Sequence, residues 1–521
     1  TAGTDITDNG GIAATAGNAG LTAGGSIFNN APVSSGLAST QLAGGNITDQ
    51  GGVTAGTSAS LTAGGGITQN AATITAAGAG VTLTAQGGGI TQAAGATISA
   101  INAAGAVALD AAQGIAIGGT VVATGAGASV SLTARNGDVT ETNAGARTGL
   151  VDATFLTGSA GGNVALDNPG NQIGTVGAFA ARGGAFTLAD AKALTVTGAV
   201  SAATTATITD PATVTIAPGG SVTAPTVNLT AAAIGIQGSV AGSGTVNLAA
   251  TNGGITEPGA LTAGTLTVKS PAVVSLPGAT PLTNRVATLG NVTAAGFTLV
   301  DGQNLMIAGM LNSPNIHIDD NGFALGMANG TIINTGGVAR PLGTVAFATL
   351  PTYAQGLPGA YLRAGSFQQV GNAIIASFNG GPTTFRIDIA SATGNVAFSP
   401  AGGLTGNTTD LVVDLTGGTL TGQIFVKTLD LRYVPGAGNA NLAGTVNGLG
   451  GPPAAGVSYI TPLPNPRYQI NGCPITAVNC ILLSVAAVPV INPLQDINLG
   501  VLGNPQDDDD LLLPDVSERD Y

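Results

Sequence analysis

Few residues in this sequence could perform acid–base or nucleophilic chemistry. His317 is the single histidine among 521 residues, so a serine or cysteine hydrolase would need it as its general base. Asp319 and Asp320 follow it closely in the segment NIHIDDNG. In a β-strand, residues 317 and 319 share one face while Ile318 points inward, and DDNG is typical of a turn. We therefore predict an exposed histidine at a strand end and not a catalytic base.

Carboxylates and metal ligands are equally sparse. Polysaccharide lyases and glycosidases need paired carboxylates, yet glutamate occurs only at positions 141, 257 and 518. One histidine and two distant cysteines do not make a conventional zinc ligand set. No lysine lies in a GKS or GKT motif, so a phosphate-binding P-loop is not expected. The sequence predicts no enzymatic activity, cofactor or metal, and polysaccharide binding or cleavage is the alternative.

The two cysteines lie near the C-terminus, in the segment NGCPITAVNC. Cys473 and Cys480 are close enough in sequence to form one local disulfide, which would indicate an oxidising compartment. Two unpaired thiols are the alternative.

The sequence ends in an acidic tail with one apolar triplet. We interpret it as a solvated segment that could contact another subunit, and weak binding of a divalent ion is the alternative. The tail residues concerned are Asp507, Asp508, Asp509, Asp510, Leu511, Leu512 and Leu513.

Composition excludes several classes of protein. Glycine supplies 84 residues, charged residues make up only 7%, and tryptophan is absent, so the core must be thin and aliphatic. The formal net charge is −13 with 13 scattered basic residues, which provides no basic stripe for a nucleic acid. Polar residues interrupt every apolar run before the roughly 18–20 residues that a spanning helix needs. No transmembrane segment is predicted.

A short sequence repeat indicates the structural units that must position these residues. LTAGGSI, at residues 21–27, returns as LAGGNI, LTAGGGI, LTAQGGGI, LTARNGDV and LAATNGGI. Two long gaps between successive repeats look like units that carry an insertion. One aliphatic residue marks each unit: Leu21, Leu42, Leu61, Leu83, Leu109, Leu132, Leu166, Leu188, Ile208, Leu229, Leu248, Leu266, Leu299 and Ile318.

Each unit alternates apolar and polar residues with a period of two, breaks at Gly, Asn or Asp, and resumes as a short strand. A unit of about 21 residues cannot bury its own apolar face, so successive units must stack. We therefore predict an all-β fold, a right-handed parallel β-helix, with glycine supplying positive φ at its corners. About 20 coils at a strand spacing of ~4.8 Å would make a rod roughly 100 Å long.

Three regions follow from the pattern. Residues 1–340 carry the solenoid repeats, and residues 341–438 form an irregular solenoid or β-rich cap with most of the aromatic residues. Residues 439–521 form an extended arm rich in Pro and Gly, with the cysteine pair and the acidic tail. The longer units around 135–165 and 267–298 are the candidate binding loops.

The LTAGGxI units, the DNPGNQIG phrase at residues 167–174 and the Ala/Gly/Thr/Val-rich composition resemble the filamentous-haemagglutinin-like exoproteins of Gram-negative bacteria. The resemblance covers about residues 1–340. It implies a right-handed β-helix secreted by the two-partner route, with an outer-membrane secretion partner. The family's N-terminal secretion motif is not recognisable here, which suggests that it was cleaved or that this is the C-terminal part of a longer precursor.

The resemblance also implies a role. Relatives act as adhesins, extracellular fibres or stalks that carry toxins, so we expect a secreted protein of the bacterial surface or matrix. Its partners would be further copies of itself, in a homo-oligomer or fibre, or a glycan or protein receptor. In some relatives a disulfide loop near the C-terminus holds the protein at the cell; Cys473 and Cys480 could form such a tether, and a disulfide that merely pins a loop is the alternative.

Overall fold

The computed structural model describes most of the first two thirds of the chain and individual segments beyond. Two compact units are formed, Thr1–Ala287 and Thr288–Tyr521. The described residues are 1–70, 72–142, 149–334, 359–369, 374–376, 383–389, 396–397, 404–415, 418–421, 423–433, 440–442, 445–446, 458–460, 469–470 and 473–474.

Short strands build the first half of unit 1, because glycine, asparagine and aspartate recur every few residues and end each alternating run. Three strands and three corners make one coil. The strands are β1 (Ile6–Asp8), β2 (Ile12–Ala14), β3 (Ala19–Ala23), β4 (Ile27–Asn29), β5 (Val33–Ser35), β6 (Ser39–Ala43), β7 (Ile47–Asp49), β8 (Val53–Ala55), β9 (Ser58–Ala63), β10 (Ile67–Gln69), β11 (Thr73–Ala76), β12 (Gly80–Ala85), β13 (Ile90–Gln92), β14 (Thr97–Ala100), β15 (Ala106–Ala111), β16 (Ile115–Ile117), β17 (Thr120–Ala123), β18 (Ser129–Ala134) and β19 (Val139–Glu141).

Longer strands follow, some of which run around a corner. They are β20 (Leu150–Ala160), β21 (Val164–Leu166), β22 (Gln172–Ala181), β23 (Phe186–Ala189), β24 (Leu194–Val196), β25 (Ala199–Ala202), β26 (Thr205–Ile216), β27 (Ser221–Ile236), β28 (Ser239–Ala250), β29 (Ile255–Thr256), β30 (Ala260–Lys269) and β31 (Val273–Leu276). Pro211 and Pro225 lie inside β26 and β27, at points where the pairing register shifts. A bulge tolerates proline because no ladder hydrogen bond is needed there.

The remaining strands begin with β32, which runs across the boundary between the units. They are β32 (Arg285–Thr293), β33 (Gly296–Val300), β34 (Leu305–Ile307), β35 (Met310–Asn312), β36 (Asn315–Asp319), β37 (Ala324–Met327), β38 (Ile332–Asn334), β39 (Gly359–Ala364), β40 (Ser366–Gln369), β41 (Ile374–Ala376), β42 (Thr383–Ile389), β43 (Val396–Ala397), β44 (Leu404–Leu415), β45 (Gly418–Thr421), β46 (Gln423–Tyr433), β47 (Ala440–Leu442), β48 (Thr445–Val446), β49 (Ser458–Ile460), β50 (Gln469–Ile470) and β51 (Cys473–Pro474).

Strand pairing defines a parallel β-solenoid. In the first coils each strand pairs in parallel with the strand three positions later, as β1 does with β4 and β4 with β7. One inward ladder runs through unit 1 in unbroken register, at intervals from 19 to 25 residues: Ile6, Ile27, Ile47, Ile67, Ile90, Ile115, Val139, Val164, Phe186, Ala206, Val227, Val246 and Leu266. The predicted all-β fold with coils of about 21 residues is confirmed. The right hand of the coil stays a prediction.

The repeated glycines of the LTAGG phrase are explained by close approach of stacked corners. A Cβ on Gly44 would lie 2.2 Å from the carbonyl oxygen of Gly24, and one on Gly64 would lie 2.2 Å from that of Gly44. At these two corners glycine is required because the coils touch, whereas the sequence predicted a need for positive φ. Positive φ does occur at other glycines, such as Gly52 and Gly80.

Thirteen of the fourteen aliphatic markers are buried, and Leu42 is the exception. The phrase LAGGNI is one residue shorter than LTAGGSI, and β6 pairs so that Gln41, not Leu42, aligns with Leu21 and Leu61. Leu42 is therefore 45% exposed while Gln41 is fully buried. Leu42 marks its unit in the sequence, but Gln41 takes the inward position of that coil.

The long gap between Leu132 and Leu166 has a different origin from the predicted insertion. Leu132 on β18 pairs with Gly158 on β20, whereas Leu166 on β21 pairs with Leu188 on β23. The two leucines thus belong to ladders on different sides of the coil. The spacing of the coils themselves stays regular, since Val139 pairs with Val164.

Candidate functional site

Charged and aromatic side chains gather on one outward face of unit 2, on neighbouring strands β36, β39 and β42. Parallel pairing aligns His317 with Tyr361, and Asp319 with Arg363. It also aligns Arg363 with Asp388 on the next strand. These five residues, which we call the polar cluster, all alternate with buried aliphatic residues such as Ile318 and Leu362. The strand period of two therefore brings them to one surface.

The polar cluster is held together by direct contacts. The Arg363 guanidinium donates to the Asp319 carboxylate with an Nη1–Oδ2 distance of 3.1 Å, and the Tyr361 hydroxyl donates to Asp388 Oδ2 at 3.0 Å. The rings of His317 and Tyr361 pack at a tilt of 46° with their centroids 5.0 Å apart. Each contact joins neighbouring coils, so the cluster is fixed by the same stacking that makes the fold.

His317 is half-buried in this cluster, not exposed as predicted, although its place on the outward face of a strand and the turn after it are confirmed. Burial lowers the pKa of His317, and the Asp319 carboxylate partly offsets that effect. The imidazole is therefore neutral at pH 7. A neutral imidazole, a phenol, a guanidinium and two carboxylates offer both donors and acceptors to a polar ligand.

A second set of polar residues lies inside the solenoid, at the corners of the coils. Asn29 Nδ2 donates to Asp49 Oδ1 at 2.6 Å, and that oxygen also accepts the backbone N–H of Gly52 at 2.9 Å. Gln69 and Gln92 occupy the same position in the next coils and bond to corner backbone groups. These side chains satisfy backbone groups that leave the strand ladder at a corner.

Two of the three glutamates, Glu141 and Glu257, are part of this interior, and Glu518 lies outside the described residues. Glu141 Oε2 accepts the backbone N–H of Asn168 at 2.7 Å and bonds Asn171 Nδ2 at 3.3 Å. Glu257 Oε2 accepts from Asn284 Nδ2 at 2.9 Å and from the Gly278 N–H at 3.1 Å. Both glutamates are at most 5% exposed. Their geometry supports corner loops and does not pair them across a cleft.

Sequence reasoning missed four buried aspartates that lie at corners in consecutive coils. Asp190 and Asp210 form one pair of positions, and Asp301 and Asp320 form another; all four are at most 2% exposed. A signal was present, since each pair is spaced by one coil and follows directly after an alternating run. Asp320 belongs to the predicted DDNG turn, and its side chain is fully buried at the corner where that turn begins.

The predicted C-terminal sites fall mostly outside the described residues. Cys473 lies on β51, which pairs antiparallel with β50, but Cys480 lies outside, so the disulfide and the tether stay predictions. The interaction tail Asp507, Asp508, Asp509, Asp510, Leu511, Leu512 and Leu513 also lies outside. Of the predicted binding loops, residues 150–160 form the regular strand β20, and the segment 143–148 is outside the described chain.

Within the described ranges no helix is long and apolar enough to cross a membrane. The same residues contain no group of three or more His, Cys, Asp or Glu side chains that could hold a metal ion.

Comparisons with known proteins identify no family, so the class of this protein is defined by its fold alone. No protein-family model, no curated protein and no solved structure matches the chain. The chain is a parallel β-solenoid, and the resemblance to filamentous-haemagglutinin-like exoproteins remains a prediction from the repeats.

Proposed function

We propose that the chain is a non-enzymatic protein of the bacterial surface or matrix, secreted and acting as a structural or adhesive solenoid. The observation that carries the proposal is the inward ladder of unit 1, thirteen residues in unbroken register from Ile6 to Leu266. In a solenoid each coil contacts only its neighbours, so further coils can be added without changing the existing ones. Adding coils therefore makes a longer protein.

The outward rows of unit 1 support a role in contact and not in chemistry. Thr48, Thr68 and Thr91 align on one outward row. Farther along the same side, Asn247 Nδ2 donates to Asn228 Oδ1 at 2.7 Å, which extends the row as a chain of hydrogen bonds. Small, uncharged, hydrogen-bonding rows of this kind suit association with further copies or with a receptor.

Surface labelling of intact bacteria tests the proposal. Antibody binding to unpermeabilised cells, together with protein in the culture medium, is expected, as is weaker attachment or matrix formation in a deletion strain. Complementation with the wild-type chain is the control. A chain confined to the cytoplasm, or a deletion strain that attaches and builds matrix normally, would argue against the proposal.

The polar cluster favours a second function, recognition of a glycan. Paired carboxylates, a guanidinium and a tyrosine can exchange hydrogen bonds with sugar hydroxyls from a surface that is already fixed. We expect the purified chain to bind members of an array of neutral and acidic oligosaccharides, and Tyr361→Ala to lose that binding. Tyr361→Phe separates the ring from the hydroxyl, because it removes only the hydroxyl that donates to Asp388; it should weaken binding less than Tyr361→Ala does. Absence of binding, or unchanged binding by Tyr361→Ala, would reject this function.

A further inference from the structure

Two pairs of buried aspartates share one arrangement in the two units. Ala189 pairs with Thr209 in the neighbouring coil, and Asp190 and Asp210 are the residues that directly follow this pair. Val300 pairs with Asp319 in the same way, and Asp301 and Asp320 directly follow that pair. Consecutive coils stack at a strand spacing of about 4.8 Å, which places the carboxyl groups of each pair in adjacent layers.

Backbone hydrogen bonds are equivalent in the two pairs. The Asp190 N–H donates to the carbonyl oxygen of Thr209 at 3.0 Å, and the Asp301 N–H donates to that of Asp319 at 2.8 Å. In each case the acceptor is the residue just before the partner aspartate. The pairs therefore close the same kind of corner, and each strand end is fixed on the coil that carries the second carboxyl group.

Burial denies these carboxylates the solvent that would stabilise two negative charges. Asp301 and Asp320 are fully buried, and neither carboxylate oxygen of Asp320 has a hydrogen-bond partner among the described residues. Asp210 is 2% exposed, and its Oδ2 is likewise without a described partner. An isolated buried charge costs several kcal/mol, so such groups bind a proton instead.

Arg363 and Lys192, two described basic residues close to these pairs, interact with other carboxylates. Arg363 donates to Asp319 on the outward face, 3.1 Å away, and His317 and Tyr361 belong to that same face. Near the other pair, the charge of Lys192 acts on Asp152, while Asp190 accepts backbone N–H groups, from Ile173 at Oδ1 (2.8 Å) and from Lys192 at Oδ2 (3.2 Å). If both carboxyl groups of a pair ionised, two like charges would lie in adjacent layers, which disfavours the ionised form.

We propose that each stacked pair holds a proton within the fold and releases it to solvent as the pH rises, which loosens the corner that the pair closes. The reaction is the loss of H⁺ from one carboxylic acid to leave a carboxylate beside its buried partner. The solenoid is then most stable in mildly acidic solution, and its corners act as sensors of alkaline pH.

The direction of each pKa shift supports the geometry. Burial, and then the charges of Asp301 and Asp319, raise the pKa of Asp320 to about 9. Burial, offset by backbone hydrogen bonds and reinforced by Asp210, raises the pKa of Asp190 to about 7. An unfolded aspartate titrates near 3.9, so the folded state binds these protons more tightly. The contribution of these protons to the free energy of unfolding is therefore complete below about pH 4. It is lost as the pH rises towards 7 for Asp190 and towards 9 for Asp320.

Infrared spectroscopy of the full chain tests the bound proton directly. At pH 7 we expect a C=O stretching band of protonated carboxylic acid, which disappears by pH 10 and is weakened in Asp320→Asn. Asp110→Asn is the matched control, because Asp110 is partly exposed and pairs with Arg135. A wild-type spectrum without that band at pH 7, or a band that Asp320→Asn leaves unchanged, would overturn the proposal.

Unfolding followed by circular dichroism gives the second readout. Between pH 7 and 9 the unfolding equilibrium constant of the wild-type chain is expected to rise about tenfold per pH unit, the slope for one proton. Asp320→Asn should remove that rise. Between pH 5 and 7 both aspartates contribute, so Asp190→Asn should make the rise there shallower by about tenfold per pH unit. Equal pH dependence in the wild-type chain and both variants would contradict the inference.

Discussion

Gln41 is a polar residue that occupies an inward position where the neighbouring coils have leucine. Its side chain is fully buried between Leu21 and Leu61, and among the described residues neither its amide nitrogen nor its amide oxygen has a hydrogen-bond partner. Ser39, two residues earlier on the same face, is also fully buried, and its hydroxyl likewise has no partner in the described part of the chain. Burying an unpaired polar group costs about 1–3 kcal/mol. Strand β6 is therefore stabilised by its neighbours in spite of its own inward side chains.

Substituting Gln41→Leu should stabilise the chain, because it replaces an unpaired amide with the side chain that neighbouring coils already have. The expected gain in the free energy of unfolding is about 1–3 kcal/mol. Denaturant unfolding followed by circular dichroism measures it.

Leu42→Thr is the matched control, since residue 42 aligns with Thr22 and Thr62 on the outward face. Its effect should be within about 0.5 kcal/mol, as for most surface substitutions. The opposite result, a neutral Gln41→Leu and a Leu42→Thr that costs more than about 2 kcal/mol, would mean that Leu42 is the inward residue.

At the scale of the strands and corners, the sequence predicts the stack but not every register. Alternation with a period of two and a repeat of about 21 residues were enough to predict a parallel solenoid. The slip at β6 was missed because Leu42 was matched to Leu21 by residue type. Aligning Ala43 with Ala23 and Ala63, as the strands pair, places Gln41 on the inward face.

The candidate sites were harder to predict from the sequence than the fold. The polar cluster joins Asp319 to Arg363, which are 44 residues apart, and no local pattern shows that they align. The buried aspartates were hidden for a related reason. A carboxylate at the end of a strand usually begins an exposed turn, and only the stacked coils show that Asp301 and Asp320 point into the interior.

The glycine corners give a prediction at this scale. Gly44→Ala should destabilise unit 1 by about 1–3 kcal/mol, the usual cost of overpacking, because its Cβ would meet the backbone of Gly24 at 2.2 Å. Thermal unfolding measures the change.

Gly20→Ala is the control, since nothing lies within 4 Å of the Cβ that it would add. It should be neutral or slightly stabilising. Equal destabilisation by both variants would show that close stacking of the corners is not what requires glycine.

The described coils have a regular aliphatic interior, and charged residues make up only 7% of the sequence. Unit 1 stacks its ladder over twelve steps, roughly 60 Å at the usual strand spacing. In unit 2 the described strands β39, β42, β44 and β46 continue in parallel register. Both units are therefore built from stacked parallel strands, and the proposed structural or adhesive function depends on that arrangement.

Negative-stain electron microscopy of the purified full-length chain across a dilution series tests the proposed structural or adhesive function most directly. We expect elongated particles at every dilution. Filaments that persist on dilution would identify a homopolymeric fibre, and separate particles would identify an individual stalk or adhesin. Compact, rounded particles at all concentrations would argue against a structural or adhesive solenoid.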